Sequence, residues 1–175
     1  LLSASNIAGV QFTATTQESF EEMLQSGAAE EQAAYAAAWS GGSPAQARQI
    51  LADEQLADIR SHAEAIAVRL STKRNPSMYL MEQDFLAAGK RMPEMLYALA
   101  SLFADAALWP CETEVLKNPD CKKTIALLAQ NFTLVQLQRI MELLNQRCER
   151  KLRFPQLRDD LLLKSLIFDI LEVKA

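Results

Sequence analysis

The residues best placed to do chemistry are Gly41, Gly42, Ser43 and Pro44, in the stretch SGGSPAQARQIL. Two glycines ahead of a helix start are the raw material of a loop that cradles phosphate. A Walker-type loop also needs Lys and then Ser or Thr after its last glycine, because the Lys neutralises phosphate charge and the hydroxyl binds magnesium. Neither is present. Each residue has a local structural use instead. Gly41 and Gly42 stop one helix, and Ser43 caps the next. Pro44 falls at the first helical position, where its missing N–H costs nothing. Gln46, two residues on, completes a capping box with Ser43. A bare helix N-terminus still attracts anions, but the favoured reading is a turn between helices.

The remaining candidates for chemistry do not converge. His62 is the only histidine, and Glu64, two residues on in a helix, points to a different side. Glu82, Asp84 and Asp105 read as solvated helix faces. Cys111, Cys121 and Cys148 are odd in number and irregular in spacing. Cys111 and Cys121 have the spacing to close a loop, but free thiols in a reducing cytoplasm are favoured. Cys121 lies near a helix N-terminus, which lowers a thiol pKa, yet no histidine stands beside it in sequence as a base. The reading therefore assigns no catalytic residue, no metal and no cofactor.

The run RCERKLRFPQLR holds Arg147, Arg150, Lys151, Arg153 and Arg158. One reading is a basic patch touching DNA phosphates or an acidic partner. The favoured one is cations at a helix C-terminus followed by a solvated turn.

The elements that must carry these residues are helical. Half of the 175 residues are apolar, and acidic groups exceed basic ones by 22 to 18. That is ample for a core, and it is the wrong sign for a dedicated nucleic-acid binder. No apolar run approaches the length that crosses a bilayer, and no basic segment ahead of an apolar one marks a signal peptide. VQFTA (10–14) alternates as a short strand or extended lead-in does. Thr15 and Glu18 have capping-box spacing ahead of a Phe20, Met23, Leu24 face ending at Gly27. Next is an Ala-rich helix with Tyr35 and Trp39 on one side, and the third helix starts at Pro44. From Asp53 a helix runs to about residue 71, either continuous with the one before it or broken near Asp53. A polar loop at 72–77 precedes a helix from Met78 to about residue 90. Pro93 starts another, and 110–120 is a loop with two prolines. CKKTIALLAQN follows. Thr133 and Gln136 form a third capping box, with Phe132 and Leu137 spaced as a hydrophobic staple. Pro155 opens a last helix so rich in leucine and isoleucine that a central, buried place is expected. No fixed-period repeat is present.

The fold class expected is all-α with at most one short strand. A small three-helix unit, residues 1–53 with its lead-in, precedes a larger bundle, 54–175. The three-helix unit carries one basic residue, Arg48, against six acidic ones, whereas 111–175 has eleven basic against nine acidic.

VQFTATTQESFEEMLQ…AAYAAAWSGGSPAQARQIL resembles the lid of the delta-prime subunit family of bacterial DNA polymerase III clamp loaders. The matching residues are Gly42, Ser43, Pro44 and Ala47. ADEQLADIRSHAEAIAVRL resembles the start of that family's C-terminal collar, and RFPQLRDDLLLKSLIFDIL its last helix. The resemblance implies a fragment that lacks the AAA+ ATPase-like domain, keeping only its exit at 1–9. It places the phosphate-sensing arginine of related ATP-binding subunits at Ala45, so it implies a subunit that does not hydrolyse ATP. The implied role is structural and cytoplasmic. The collar packs against other clamp-loader subunits through a partly apolar face, with DNA contact indirect or weak and no membrane contact. The alternative from another class is a ligand-binding, dimerising helical domain of a bacterial transcription regulator, which expects a closed apolar pocket.

Overall fold

The computed structural model describes residues 14–72, 76–111 and 116–174. These form nine α-helices: α1 Ala14–Gln25, α2 Glu30–Trp39, α3 Pro44–Ala52, α4 Glu54–Thr72, α5 Met78–Leu86, α6 Met92–Leu108, α7 Lys122–Asn131, α8 Leu134–Arg153 and α9 Asp159–Lys174. No strand occurs among the described residues, in keeping with the all-α expectation. The extended lead-in expected at 10–14 lies outside them, apart from Ala14, which is already helical.

Buried side chains sort into two clusters. The first joins Phe20 and Met23 of α1, Ala33, Ala34, Tyr35, Ala36 and Ala37 of α2, and Ala47 of α3. The alanines of α2 bring the helix axes close, and Tyr35 and the two α1 side chains fill the remaining space. The second cluster draws on α4 through α9. Its centre is α6, which packs on α4, α7 and α8. Met92, Met95, Leu96, Leu99 and Phe103 of α6 are fully buried, and full burial of each such side chain is worth about 1.5–3 kcal/mol. Phe103 meets Phe132 edge-on, with centroids 5.8 Å apart at 73°, the geometry the ring quadrupoles favour.

The leucine-rich last helix is not the central one. α9 packs on α5 and α8 and leaves Leu161 and Phe168 exposed. Leucine count alone does not separate a helix buried all round from one with a second apolar face; α6, richer in small residues, is enclosed because alanines permit close neighbours.

Helix boundaries follow local chemistry: of the two alternatives at Asp53 the break is the one found, and three other boundaries depart from expectation. The chain breaks between α3 and α4 at Asp53, whose carboxylate accepts from Leu56 N at 3.0 Å and so caps α4. The helix begun at Met78 stops at Leu86, and Gly89–Arg91 is a 3-10 turn, with Gly89 at φ 53. α9 starts at Asp159, not Pro155: the chain turns through Pro155 and Gln156, and the paired Asp159 and Asp160 then sit at the positive end of the helix dipole. Thr15 lies inside α1, which already includes Ala14, so it does not precede the helix as a cap. The Thr133–Gln136 capping box is formed reciprocally, and Phe132 and Leu137 beside it are both buried.

Candidate functional site

The turn at 41–46 is built by the end of α2. Gly41 and Gly42 have φ of 60° and 88°, the left-handed region that glycine enters without Cβ strain. Ser40, Gly42 and Ser43 donate their backbone N–H groups to Ala36 O, Ala37 O and Ser40 O. A phosphate cradle needs such groups aimed outward at the ligand; here they satisfy the last carbonyls of α2. Ser43 stands ahead of α3 in extended conformation with Pro44 following, but its side chain makes no capping bond. The expected box with Gln46 is therefore not formed. Ser77, at the same ψ of 111 as Ser43, does accept from Leu80 N at 3.4 Å, close to the 3.3 Å of the Thr133 cap, so ψ does not separate the caps that form from the one that does not.

The junction between the two clusters is a polar seam around Arg60 of α4. Its guanidinium donates to both carboxylate oxygens of Asp120 at 2.9 Å and to Asn118 Oδ1 at 3.3 Å. The ring of Tyr35 lies 3.8 Å from its central carbon and that of Trp39 5.4 Å. Trp39 Nε1 donates to the same Asn118 oxygen at 3.2 Å, and its ring meets Tyr97 edge-on at 5.4 Å. Burial pushes the Tyr35 hydroxyl above its ordinary pKa.

Beneath the seam, Asp105 of α6 accepts from Lys117 N at 2.9 Å, Asn118 N at 2.7 Å and Asn118 Nδ2 at 2.9 Å. Asp105 is buried, not on the solvated face expected of it. Burial raises its pKa against the pull of those donors. Asp84 is also mostly buried. It accepts an ion pair from Arg69 and lies 2.9 Å from His62 Nδ1, so His62 is a structural partner. Glu82 pairs with Lys164 at 3.2 Å. A second link reaches from the α3–α4 break to α6, where Arg91 holds both Asp53 oxygens at 2.8 Å and keeps the Asp53 carboxyl below its ordinary pKa.

The basic run is divided between two roles. Arg147 pairs with Asp169 at 2.5 Å. Lys151 donates to the carbonyls of Pro155 and Leu157 at 2.8 Å each and lies 2.8 Å from Asp159, tying the α8–α9 turn. Arg158 forks onto Asp160. Arg150 and Arg153 are exposed and form no ion pair with a described residue. Arg147, Arg150 and Arg158 border one open cleft between α8 and α9.

The three cysteines are free. Burial, and then Asp120, drive the Cys121 thiol well above its ordinary pKa, the opposite of an activated nucleophile. Among the described residues no group of His, Cys, Asp and Glu is arranged to hold a metal ion, and no helix is long and apolar enough to cross a membrane. Sequence reasoning missed Arg60 and Asn118. The one local signal was Asn-Pro-Asp at 118–120, a turn marker that says nothing of its partners.

The class defined by this arrangement is an all-α helical bundle: many ionised side chains join one helix to another, and some large apolar ones, such as Leu161 and Phe168, stay exposed. Residues 54–172, well over half of the chain, match the family described as DNA polymerase III, delta subunit, C terminal. The chain belongs to that family and is thereby a delta-type subunit domain of the DNA polymerase III clamp-loading machinery, with other subunits of that machinery as partners. No curated protein sequence matches it. Family membership does not favour the transcription-regulator alternative.

Proposed function

We propose that this chain is the lid and collar of a delta-prime-type subunit, a structural member of the clamp loader that does not hydrolyse ATP. The division falls near Asp53, with the three-helix lid before it and the collar, 54–175, after it. The observation that carries the reading is the family match over 54–172, joined to a three-helix unit with its own buried cluster directly ahead. The resemblance of Gly42, Ser43, Pro44 and Ala47 to the delta-prime lid supports the finer assignment. So does Ala45 at the position of the phosphate-sensing arginine, since a methyl group cannot read phosphate. The backbone N–H groups around Gly42, turned to α2, fit a lid without a nucleotide. In this role the collar holds neighbouring ATPase domains in a ring that opens the sliding clamp and places it on primed DNA.

The test uses the full-length protein mixed with the partner ATPase subunit on size exclusion. Co-elution is expected, and a version cut after residue 53 runs alone. Separate elution of the intact protein, or ATP hydrolysis by it in the absence of partners, counts against the reading.

A further inference from the structure

The cleft between the C-terminal half of α8 and the start of α9 has a volume of about 380 Å³ and is lined by Arg147, Arg150, Arg158, Leu157, Leu161 and Leu162, among others. Its walls alternate two chemistries. Leu161 stands 57% exposed at the rim, and Phe168, two helical turns along α9, is 63% exposed. Arg150 is exposed and pairs with no described carboxylate. From 147 to 158 there are five basic residues and one acidic, Glu149, in a chain whose net charge is −4. Arg147 and Arg158 are already paired with Asp169 and Asp160, so Arg150 is the arginine of the cleft left to meet a carboxylate from outside, beside uncovered apolar side chains.

We propose that this cleft is a docking site for an acidic amphipathic peptide segment of another protein, one that sets a bulky apolar side chain against Leu161 and Leu157 and a flanking carboxylate against Arg150. Charge complementarity selects that occupant. A guanidinium at an apolar rim donates to a carboxylate in a bidentate fork, and an apolar anchor in a small pocket supplies most of the affinity. A nucleic-acid backbone fits less well. Asp169 and Asp160 stand beside Arg147 and Arg158, where they repel a line of phosphates, and DNA binding calls for a broader, unshielded basic stripe. The proposal does not depend on the delta-prime assignment.

A randomised 12-residue peptide display library panned on the immobilised full-length protein tests it. Enriched peptides are expected to carry Asp or Glu next to Leu, Phe or Trp. In fluorescence anisotropy the best of them should bind Arg150→Glu and Leu161→Asp at least tenfold more weakly, while Arg150→Lys retains partial binding. Both positions are exposed, and unchanged thermal unfolding of the variants verifies that they fold. Enrichment without acidic residues, no enrichment, or equal binding by the variants overturns the proposal. So does a labelled DNA duplex that outcompetes the peptide and loses affinity in Arg150→Glu, because the cleft is then a nucleic-acid site. Arg150→Glu is expected to co-elute with the ATPase subunit as wild type does, which separates failure here from failure of the collar reading.

Discussion

At Asp105 three N–H donors converge on one buried carboxylate, and removing it strands all of them. Leaving a buried donor without a partner costs about 1–3 kcal/mol, so Asp105→Ala is expected to lower stability by roughly 2–4 kcal/mol, read by urea unfolding. The pH dependence has a defined sign. Burial raises the folded-state pKa of Asp105 above the unfolded value, so between the two values the folded state holds the extra proton. Stability from this group is then fully present below the unfolded pKa and is lost as pH rises toward the folded one. Asp53, held low by Arg91, does the reverse: its contribution is present above the unfolded pKa and fades as pH falls through the folded one. Unfolding curves of wild type and Asp105→Asn between pH 4 and 7 should therefore converge on Asp105→Asn's favour as pH rises; a widening wild-type advantage contradicts the assignment. At Gly41 nothing lies within 4 Å of an added Cβ, so Gly41→Ala isolates the cost of φ 60, about 1 kcal/mol. A neutral result there means that the turn relaxes to another conformation.

Arg60 decides how α2 and α4 are joined. It is bound by one carboxylate, an amide oxygen and two aromatic rings, and α2 otherwise meets the bundle through Trp39 and the turn Pro119–Cys121. Breaking a buried ion pair from one side costs about 3–5 kcal/mol, and the loss should appear mainly at the junction. Arg60→Ala is expected to speed amide hydrogen exchange in α2 and α3 far more than in α8. Arg60→Lys should rescue little, since an ammonium that reaches Asp120 as Nη2 does has no planar guanidinium to lay against the Tyr35 ring. Uniform acceleration across all helices contradicts the junction role. What was legible in the sequence at this scale was what is local. Thr133 and Gln136 are three residues apart, so their box could be read directly, as could Phe20 and Met23 of the α1 face, whose third expected member, Leu24, is exposed. Asp105 was read as solvated because its donors arrive from a loop 12 and 13 residues on. Arg60 gave no sign because its partners lie 58 and 60 residues away. Ser43 shows the limit within local reading, since the residue types of a capping box are present and the side-chain bonds that complete it are not.

At the scale of the molecule, the sequence pattern pointed to an all-α fold, which the nine described helices bear out, and Arg69, Arg91, Arg147 and Lys151 each reach a carboxylate of the same chain. The centre of that fold could not be read from apolar content, since α9 is rich in leucine because it serves a core on one side and displays Leu161 and Phe168 on the other. Such display suits a protein that assembles with others. The role proposed for this delta-type chain is to support clamp loading as a structural subunit. Loading of a labelled sliding clamp onto primed circular DNA, with purified subunits and ATP, tests it most directly. With the full-length protein present, the labelled clamp should co-migrate with DNA, and omission of the protein or deletion of its residues 54–175 should abolish that. Loading of equal rate and extent without this protein would contradict the claim.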